Sequence, residues 1–188
     1  KPTSGEIWIE GEEISRMSER DLIRIRKKVA YVFQNGALFD SMSVYENLAY
    51  PLREHTQLGE NEIKTRIHEQ LEEFGLLEAE DKLPAELSGG MQKRVGLMRS
   101  LMMGPQVILY DEPTAGLDPY NTLKIREICL QLKRKGVASI FVTHDMPTAI
   151  GVCDRFCLLG QGRILDERKV GDLRKDATQP LEKFILGE

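Results

Sequence analysis

The sequence lacks a long apolar run and is poor in cysteine, and each shortage excludes a class of protein. No run of apolar residues approaches about 18 in length, so none of the 188 residues is expected to span a membrane. No signal peptide is recognisable either. The three cysteines, Cys129, Cys153 and Cys157, form a sparse, odd set that indicates a reducing compartment. Because no second Cys/His pair lies near Cys153 and Cys157, a metal site there is not expected.

The chain also lacks an excess of positive over negative charge. The formal net charge is -4, whereas nucleic-acid binders usually carry a basic surplus or patch. The one dense basic run, at 133–135, falls at the predicted carboxyl end of a helix, where it complements the helix dipole. Nucleic acid is therefore not an expected partner.

Apolar runs of strand length alternate with helical patterns at both ends of the chain, which predicts an α/β layered fold. The predicted strands lie at 28–33, 107–110 and 137–142, and a hairpin is predicted at 155–167 around Gly160-Gln161-Gly162. Helices are predicted after Ser18, with Asp21 in the capping pattern, and from Asp118-Pro119 to Gly136. We assign 1–34 and 105–188 to the α/β core of a single domain covering 1–188.

Residues 35–104 are predicted to form a helical subdomain inserted into that core. Ser43 and Glu46 make a capping box ahead of one helix. A second helix carries an apolar stripe of core type that ends at Gly75, formed by Ile63, Ile67, Leu71 and Phe74. A third helix is expected from about Gly90 to Met103.

The strand VILY ends in two adjacent acids, Asp111 and Glu112. Carboxylates at the carboxyl edge of a parallel sheet lie where ligands bind in open α/β folds. Asp111 could hold Mg²⁺, and Glu112 would then be free to polarise an attacking water. Many strands end in acids, so this pair alone is modest support.

A second motif is Leu-Ser-Gly-Gly-Met-Gln at 87–92. Ser88 can cap the helix that follows, while Gly89 and Gly90 let backbone N–H groups approach a phosphate closely. A plain serine cap after a glycine turn is the simpler interpretation, but this string is unusually specific for one family.

Taken together, the motifs resemble the ABC ATPase family over essentially the whole chain. The matching elements occur in the family's order: the Q-loop glutamine Gln34, the signature Ser88, Gly89, Gly90 and Gln92, the Walker B Asp111, the catalytic Glu112, the D-loop ending at Asp118, and the switch His144. His55 and His68 have no such context and are interpreted as surface residues.

The resemblance implies a fold and a mechanism. The fold is the P-loop NTPase-like core of an ABC ATPase with its helical subdomain. Two copies would sandwich ATP and Mg²⁺, with Ser88, Gly89, Gly90 and Gln92 of one copy facing the phosphates held by the other. Glu112, His144 and Gln34 would be catalytic, Asp111 and Gln34 would serve Mg²⁺, and Asp118 would act across the dimer interface.

One element of the family is absent from these residues: no G-x-x-x-x-G-K-[S/T] occurs. In the family it lies upstream of the position of Lys1. Without that loop no backbone cradle or lysine holds the β- and γ-phosphates. The fold is thus a partial core lacking the P-loop unit, and the 188 residues alone are expected neither to bind nor to hydrolyse ATP.

The stretch FQNGALFDSMSVYENLAYPLREH at 33–55 resembles the ATPases of Mla/Mce-type lipid transporters. This implies phospholipid transport at the bacterial envelope, a membrane permease, a lipid-binding subunit, and a peripheral position on the cytoplasmic face of the inner membrane. Leu38, Phe39 and Tyr45 would either dock the permease or pack inside the helical subdomain. The alternatives are another substrate, a non-transport ABC ATPase, or a catalytically inactive module.

Overall fold

The computed structural model describes residues 1–173 and 179–186, and it contains seven strands and seven α-helices in those ranges. The strands are β1 (Trp8–Ile9), β2 (Glu12–Glu13), β3 (Val29–Val32), β4 (Val107–Asp111), β5 (Ala138–Val142), β6 (Arg155–Gly160) and β7 (Arg163–Lys169). The helices are α1 (Glu19–Arg26), α2 (Val44–His55), α3 (Glu60–Glu73), α4 (Gly89–Leu101), α5 (Pro119–Arg134), α6 (Met146–Val152) and α7 (Pro180–Leu186). This order gives the mixed α/β fold with a parallel sheet that the sequence predicts.

The centre of the fold is a parallel sheet in the order β3-β4-β5. Its register pairs Val32 with Tyr110 and Asp111 with Val142. Because all three strands run the same way, the loops that follow them emerge at one edge of the sheet. Gln34, Glu112 and His144 each come within two residues of a strand end, so the topology gathers them at that edge.

The two faces of this sheet differ. On one face Ala30, Val32, Ile108 and Tyr110 are buried in the main apolar core. On the other face Tyr31, Phe33, Ile140 and Val142 are exposed. We call this second surface the open face. Parallel sheets are normally covered on both sides, so the open face is unusual for its strand type.

The helical block between β3 and β4 folds as its local signals predict. Ser43 caps α2 in a complete capping box with Glu46, and the residues of the predicted stripe on α3 are buried. Phe74 is the C-cap of α3, and Gly75 then takes the left-handed conformation with φ 63°. Helix α2 packs against both α3 and α4, so the three helices share one core with the buried face of the sheet.

The remaining signals are confirmed in the same way. Ser18 accepts a bond from the backbone of Asp21 at the start of α1, and Asp118 caps α5 with Pro119 as its first residue. The hairpin β6-β7 forms around the predicted turn, and α7 packs against it through the buried Leu181. Among the residues with described structure, no helix is long and apolar enough to cross a membrane.

The cysteines are free thiols with different surroundings. Cys129 is buried, and this burial raises the pKa of its thiol to about 12. Cys153 is half-buried and Cys157 is exposed. No cluster of three or more metal-ligating side chains occurs in the described ranges 1–173 and 179–186.

Candidate active site

Glu112 is the most constrained residue at the strand edge. It follows β4 directly, and its backbone has φ 46°, a left-handed conformation that is costly for a residue with a side chain. Its amide donates to Val142 O at 2.9 Å, which ties the residue to the end of β5. Strain of this kind persists only where neighbours fix it, and it aims the Glu112 carboxylate toward the loop after β5.

Three donors hold the Glu112 carboxylate. Thr143 Oγ1 donates to Oε2 at 3.0 Å, and the His144 backbone amide donates to Oε1 at 3.1 Å. His144 Nδ1 lies 2.8 Å from the same Oε1. The carboxylate is only 20% exposed, whereas the His144 ring is 75% exposed. The hydrogen bond that His144 donates to Glu112, and then the negative charge of Glu112, raise the pKa of His144.

The loop after β5 is itself braced. Asp145 caps α6 through the Thr148 amide and accepts a bond from Thr114 Oγ1 at 2.9 Å. Thr114 lies two residues beyond Glu112, so the loops that follow β4 and β5 are fastened to each other. His144 is therefore held beside Glu112 by backbone structure as well as by their side-chain contact.

Asp111 lies at the end of β4 and accepts a hydrogen bond from the Tyr31 hydroxyl at 2.9 Å. This bond raises the pKa of Tyr31. Mg²⁺ is usually bound through one or two carboxylates together with substrate phosphates and water. A single aspartate with hard oxygen donors at the sheet edge fits Mg²⁺ bound with a nucleotide.

Ser88, Gly89 and Gly90 form the start of α4. Ser88 is the N-cap, and its hydroxyl accepts from the Met91 amide at 3.3 Å. A Cβ added to Gly90 would come within 2.4 Å of the Asn121 side chain, so this glycine is needed for close packing. The Gln92 side-chain amide donates to Pro84 O at 2.9 Å and to Leu87 O at 3.3 Å.

Asp118 lies close to this same turn. Its carboxylate accepts from the Asn121 backbone at 2.9 Å and from the Asn121 side chain at 2.6 Å. Those two bonds, the backbone one first, lower the pKa of Asp118. Lys93 on α4 donates to Ala115 O, which joins the start of α4 to the loop that ends at Asp118.

Gln34 lies in the turn closed by the bond from Gly36 N to Phe33 O at 3.0 Å, and it is exposed. The structure thus brings Glu112 and His144 into direct contact and sets Asp111 and Gln34 at the same edge. Asn121 donates to Asp118 and also packs against Gly90, so it joins the D-loop residue to the start of α4.

Sequence reasoning missed four residues that hold the site: Thr143, Tyr31, Lys93 and Asn121. Thr143 directly precedes His144, and this adjacency was the one available signal. The other three depend on how separate elements pack.

The family profile described as "ABC transporter" matches residues 1–115, more than half of the chain. The chain belongs to the ABC transporter family.

Two relatives of this ABC protein carry different transport names. It is 38% identical over 187 residues to the methionine import ATP-binding protein MetN of Carboxydothermus hydrogenoformans, covering 99% of this chain and 55% of that protein. It is 36% identical over 187 residues to the intermembrane phospholipid transport system ATP-binding protein MlaF of Escherichia coli, covering 99% of this chain and 70% of that protein. The chain therefore spans little more than half of MetN.

A solved ABC structure shares the fold. The dimeric ATP-binding cassette MJ0796, in a post-hydrolysis state bound to ADP and Pi, superposes with a TM-score of 0.83 at 31% identity. The match covers 90% of this chain and 75% of that one.

Proposed function

We propose that the intact protein hydrolyses ATP as the nucleotide-binding subunit of an ABC transporter, with a phosphate-binding loop ahead of residue 1 completing the site. The observation that carries this proposal is the contact between Glu112 and His144 at the edge of a parallel sheet. Glu112 directly follows Asp111 in the chain. Residues 35–104 serve as the helical subdomain, and residues 1–34 and 105–188 serve as the α/β core. The open face of the sheet is the surface that the phosphate-binding unit covers.

In the reaction water attacks the γ-phosphorus, the bond from that phosphorus to the bridging oxygen breaks, and ADP and inorganic phosphate are released. This transfer depends on positioning and charge stabilisation more than on covalent chemistry. Glu112 orients the water and accepts its proton. His144 turns from Glu112 to the γ-phosphate and donates a hydrogen bond to its developing charge. That movement releases one Glu112 oxygen for the water.

Asp111 and Gln34 would hold Mg²⁺. When bound, the ion would neutralise negative charge on the phosphate groups of the nucleotide. The Tyr31 hydroxyl fixes the rotamer of Asp111 through its hydrogen bond.

The protein acts as a homodimer. Ser88 and the glycines after it contact the γ-phosphate bound by the partner, since the free N–H groups at the start of α4 suit an anion. Asp118, held at the same surface by Asn121, contacts the partner's site. The similarity to MJ0796, which is dimeric with ADP and Pi bound, supports this arrangement.

The test is Glu112→Gln in the intact protein, which removes the proton acceptor and keeps the shape of the side chain. ATP affinity should stay within about twofold, whereas kcat should fall by at least roughly 100-fold, because general base catalysis contributes that much. Glu127→Gln is the matched control, since Glu127 is an exposed carboxylate on α5 paired with Lys124. Turnover of the Glu112→Gln protein at the wild-type rate would refute the assignment.

The partner is a membrane permease that docks on the helical subdomain, and the protein lies on the cytoplasmic face of the inner membrane. A groove of about 270 Å³ opens between α1, α2 and α4, with Phe39, Tyr50 and Pro51 in its wall. Arg26 and Lys27 also line it, so a permease segment with apolar side chains and a carboxylate would match its chemistry. Of the residues first considered for docking, Phe39 is 41% exposed, whereas Leu38 and Tyr45 pack against the core.

The transported substrate is a phospholipid or related lipid, delivered with a lipid-binding subunit. The support is the resemblance of 33–55 to Mla/Mce-type ATPases and the similarity to MlaF. The similarity to MetN favours methionine as the second candidate. Phospholipid retained by the purified transport complex would support the first candidate, and methionine binding would contradict it.

A further inference from the structure

The loop after Gln34 has a backbone conformation that is unfavourable unless other residues hold it in place. Gly36 has φ 73° and Ala37 has φ 48°, so two successive residues are left-handed. For alanine this conformation costs on the order of 1–2 kcal/mol. A loop of this kind is kept in one form only by contacts from its surroundings.

Arg99 of α4 supplies one set of those contacts. Its Nη2 donates to Ala37 O at 2.7 Å and to Gly36 O at 3.4 Å. Its Nη1 donates to Asn47 Oδ1 at 3.3 Å, and the guanidinium carbon lies 5.1 Å from the centre of the Phe39 ring. The planar, five-donor group of arginine is what allows three acceptors to be met at once.

Asn47 of α2 holds the far end of the loop. Its side chain is fully buried and makes four bonds with the backbone. Nδ2 donates to Phe39 O, Met42 O and Ser43 O at 3.1, 3.0 and 3.0 Å, and Oδ1 accepts from Phe39 N at 2.9 Å. We call Arg99, Asn47 and the loop segment 36–39 the Arg99 clasp.

A glycine contact closes the clasp against α4. A Cβ on Gly96 would lie 2.5 Å from Gly36 Cα and 2.7 Å from Gly36 O, distances that no real contact reaches. Gly36 and Gly96 therefore touch backbone to backbone, one turn of α4 below Arg99. The loop cannot slide along the helix without breaking both this contact and the arginine bonds.

We propose that Arg99 is a positioning residue that makes Gln34 move with α4, so that a shift of the Ser88 end of this helix is delivered to the Gln34 amide in the same subunit. The inference rests on the proposed ATPase function. Gln34 lies two residues before the clasp, and α4 runs without interruption from Ser88 to Arg99. Binding of a phosphate at one end of the helix is thereby linked to the geometry of the site at the other.

A double-mutant cycle in the intact protein tests the proposal. Arg99→Met keeps the apolar stem and removes the donors, and Gln34→Ala removes the amide. Each single variant should lower kcat roughly 10- to 100-fold, as small misplacements near reacting groups do, with ATP affinity unchanged. If Arg99 acts through Gln34, adding Gln34→Ala to Arg99→Met should change kcat by no more than about twofold.

Effects that simply multiply in the double variant would overturn the proposal. Arg94→Met is the control, because Arg94 lies on the same helix and donates to a backbone carbonyl, Phe74 O at 2.9 Å, at the end of α3. Its cycle with Gln34→Ala should be multiplicative. If the Arg99→Met protein does not fold, the same double-mutant cycle is measured with Arg99→Lys, which retains the positive charge but lacks the planar set of guanidinium donors.

The same ATPase assay distinguishes a failure of the proposed function from a failure of the Arg99 proposal. A wild-type protein without ATPase activity would defeat the proposed function itself. Activity that Glu112→Gln abolishes, together with a multiplicative Arg99 cycle, would leave the proposed function standing and reject the Arg99 clasp alone.

Discussion

Replacing Gly96 by alanine perturbs a close backbone contact between α4 and the loop after β3. The new Cβ would meet three backbone atoms of Gly36 at 2.5, 2.7 and 3.0 Å, so the loop or the helix must move by about 1 Å to reach ordinary contact. Overpacking of this kind costs about 1–3 kcal/mol. The backbone cannot rotate away as a side chain can, which favours the upper half of that range.

Alanine also brings a gain, because it is the better helix former by about 1 kcal/mol. The net expectation for Gly96→Ala is a loss of roughly 1–2 kcal/mol in the free energy of unfolding. Urea denaturation of the intact protein, followed by circular dichroism, measures this loss as a lower midpoint at unchanged slope.

Gly151→Ala on α6 is the matched comparison. Its Cβ would come just as close to a neighbour, 2.4 Å, but that neighbour is the guanidinium of Arg126, the free end of a long side chain. Because the guanidinium can swing aside and alanine brings the same helix gain, the free energy of unfolding should be unchanged or rise by up to about 1 kcal/mol. Equal losses in the two variants, or a stabilised Gly96→Ala protein, would refute the reasoning that backbone contact at Gly36 sets the cost.

Two further predictions concern the site and its partner. In an NMR titration of the intact protein the pKa of His144 should lie above its ordinary value of about 6.5, and it should fall back in the Glu112→Gln protein. Because the pKa of His144 is higher in the folded than in the unfolded protein, the pair stabilises the fold at pH values below the unfolded pKa. That stabilisation is lost as the pH rises through the folded pKa. A His144 pKa that ignores the Glu112 change would contradict the contact. Tyr50→Asp in the groove should reduce co-purification of the permease at least roughly tenfold, whereas Leu77→Asp, at an exposed position outside the groove, should leave co-purification unchanged. Equal recovery of the permease with both variants would rule out the groove as its docking site.

Local signals predicted the secondary structure well because each depends on neighbouring residues. The caps at Ser18, Ser43, Ser88 and Asp118 all form as expected, since a cap needs only a hydroxyl or carboxylate and the amides of the next turn. The proximity of Glu112 and His144 also follows from sequence, because parallel strands end at a common edge.

Contacts between distant segments could not be predicted in this way. The left-handed backbone of Glu112 is imposed by its bond to Val142, some 30 residues later in the chain. The contacts of Arg99 with Ala37 and of Tyr31 with Asp111 likewise depend on how helices and strands pack. Composition and spacing carry no record of such pairings.

The measurement closest to the central claim is a structure of the intact Glu112→Gln dimer trapped with Mg²⁺ and ATP. Ser88 of one protomer is expected within hydrogen-bond distance of the γ-phosphate in its partner, with residue 112 of that partner facing a water in line for attack. A dimer in which Ser88 lies far from the γ-phosphate, or in which residue 112 points away from it, would contradict the account.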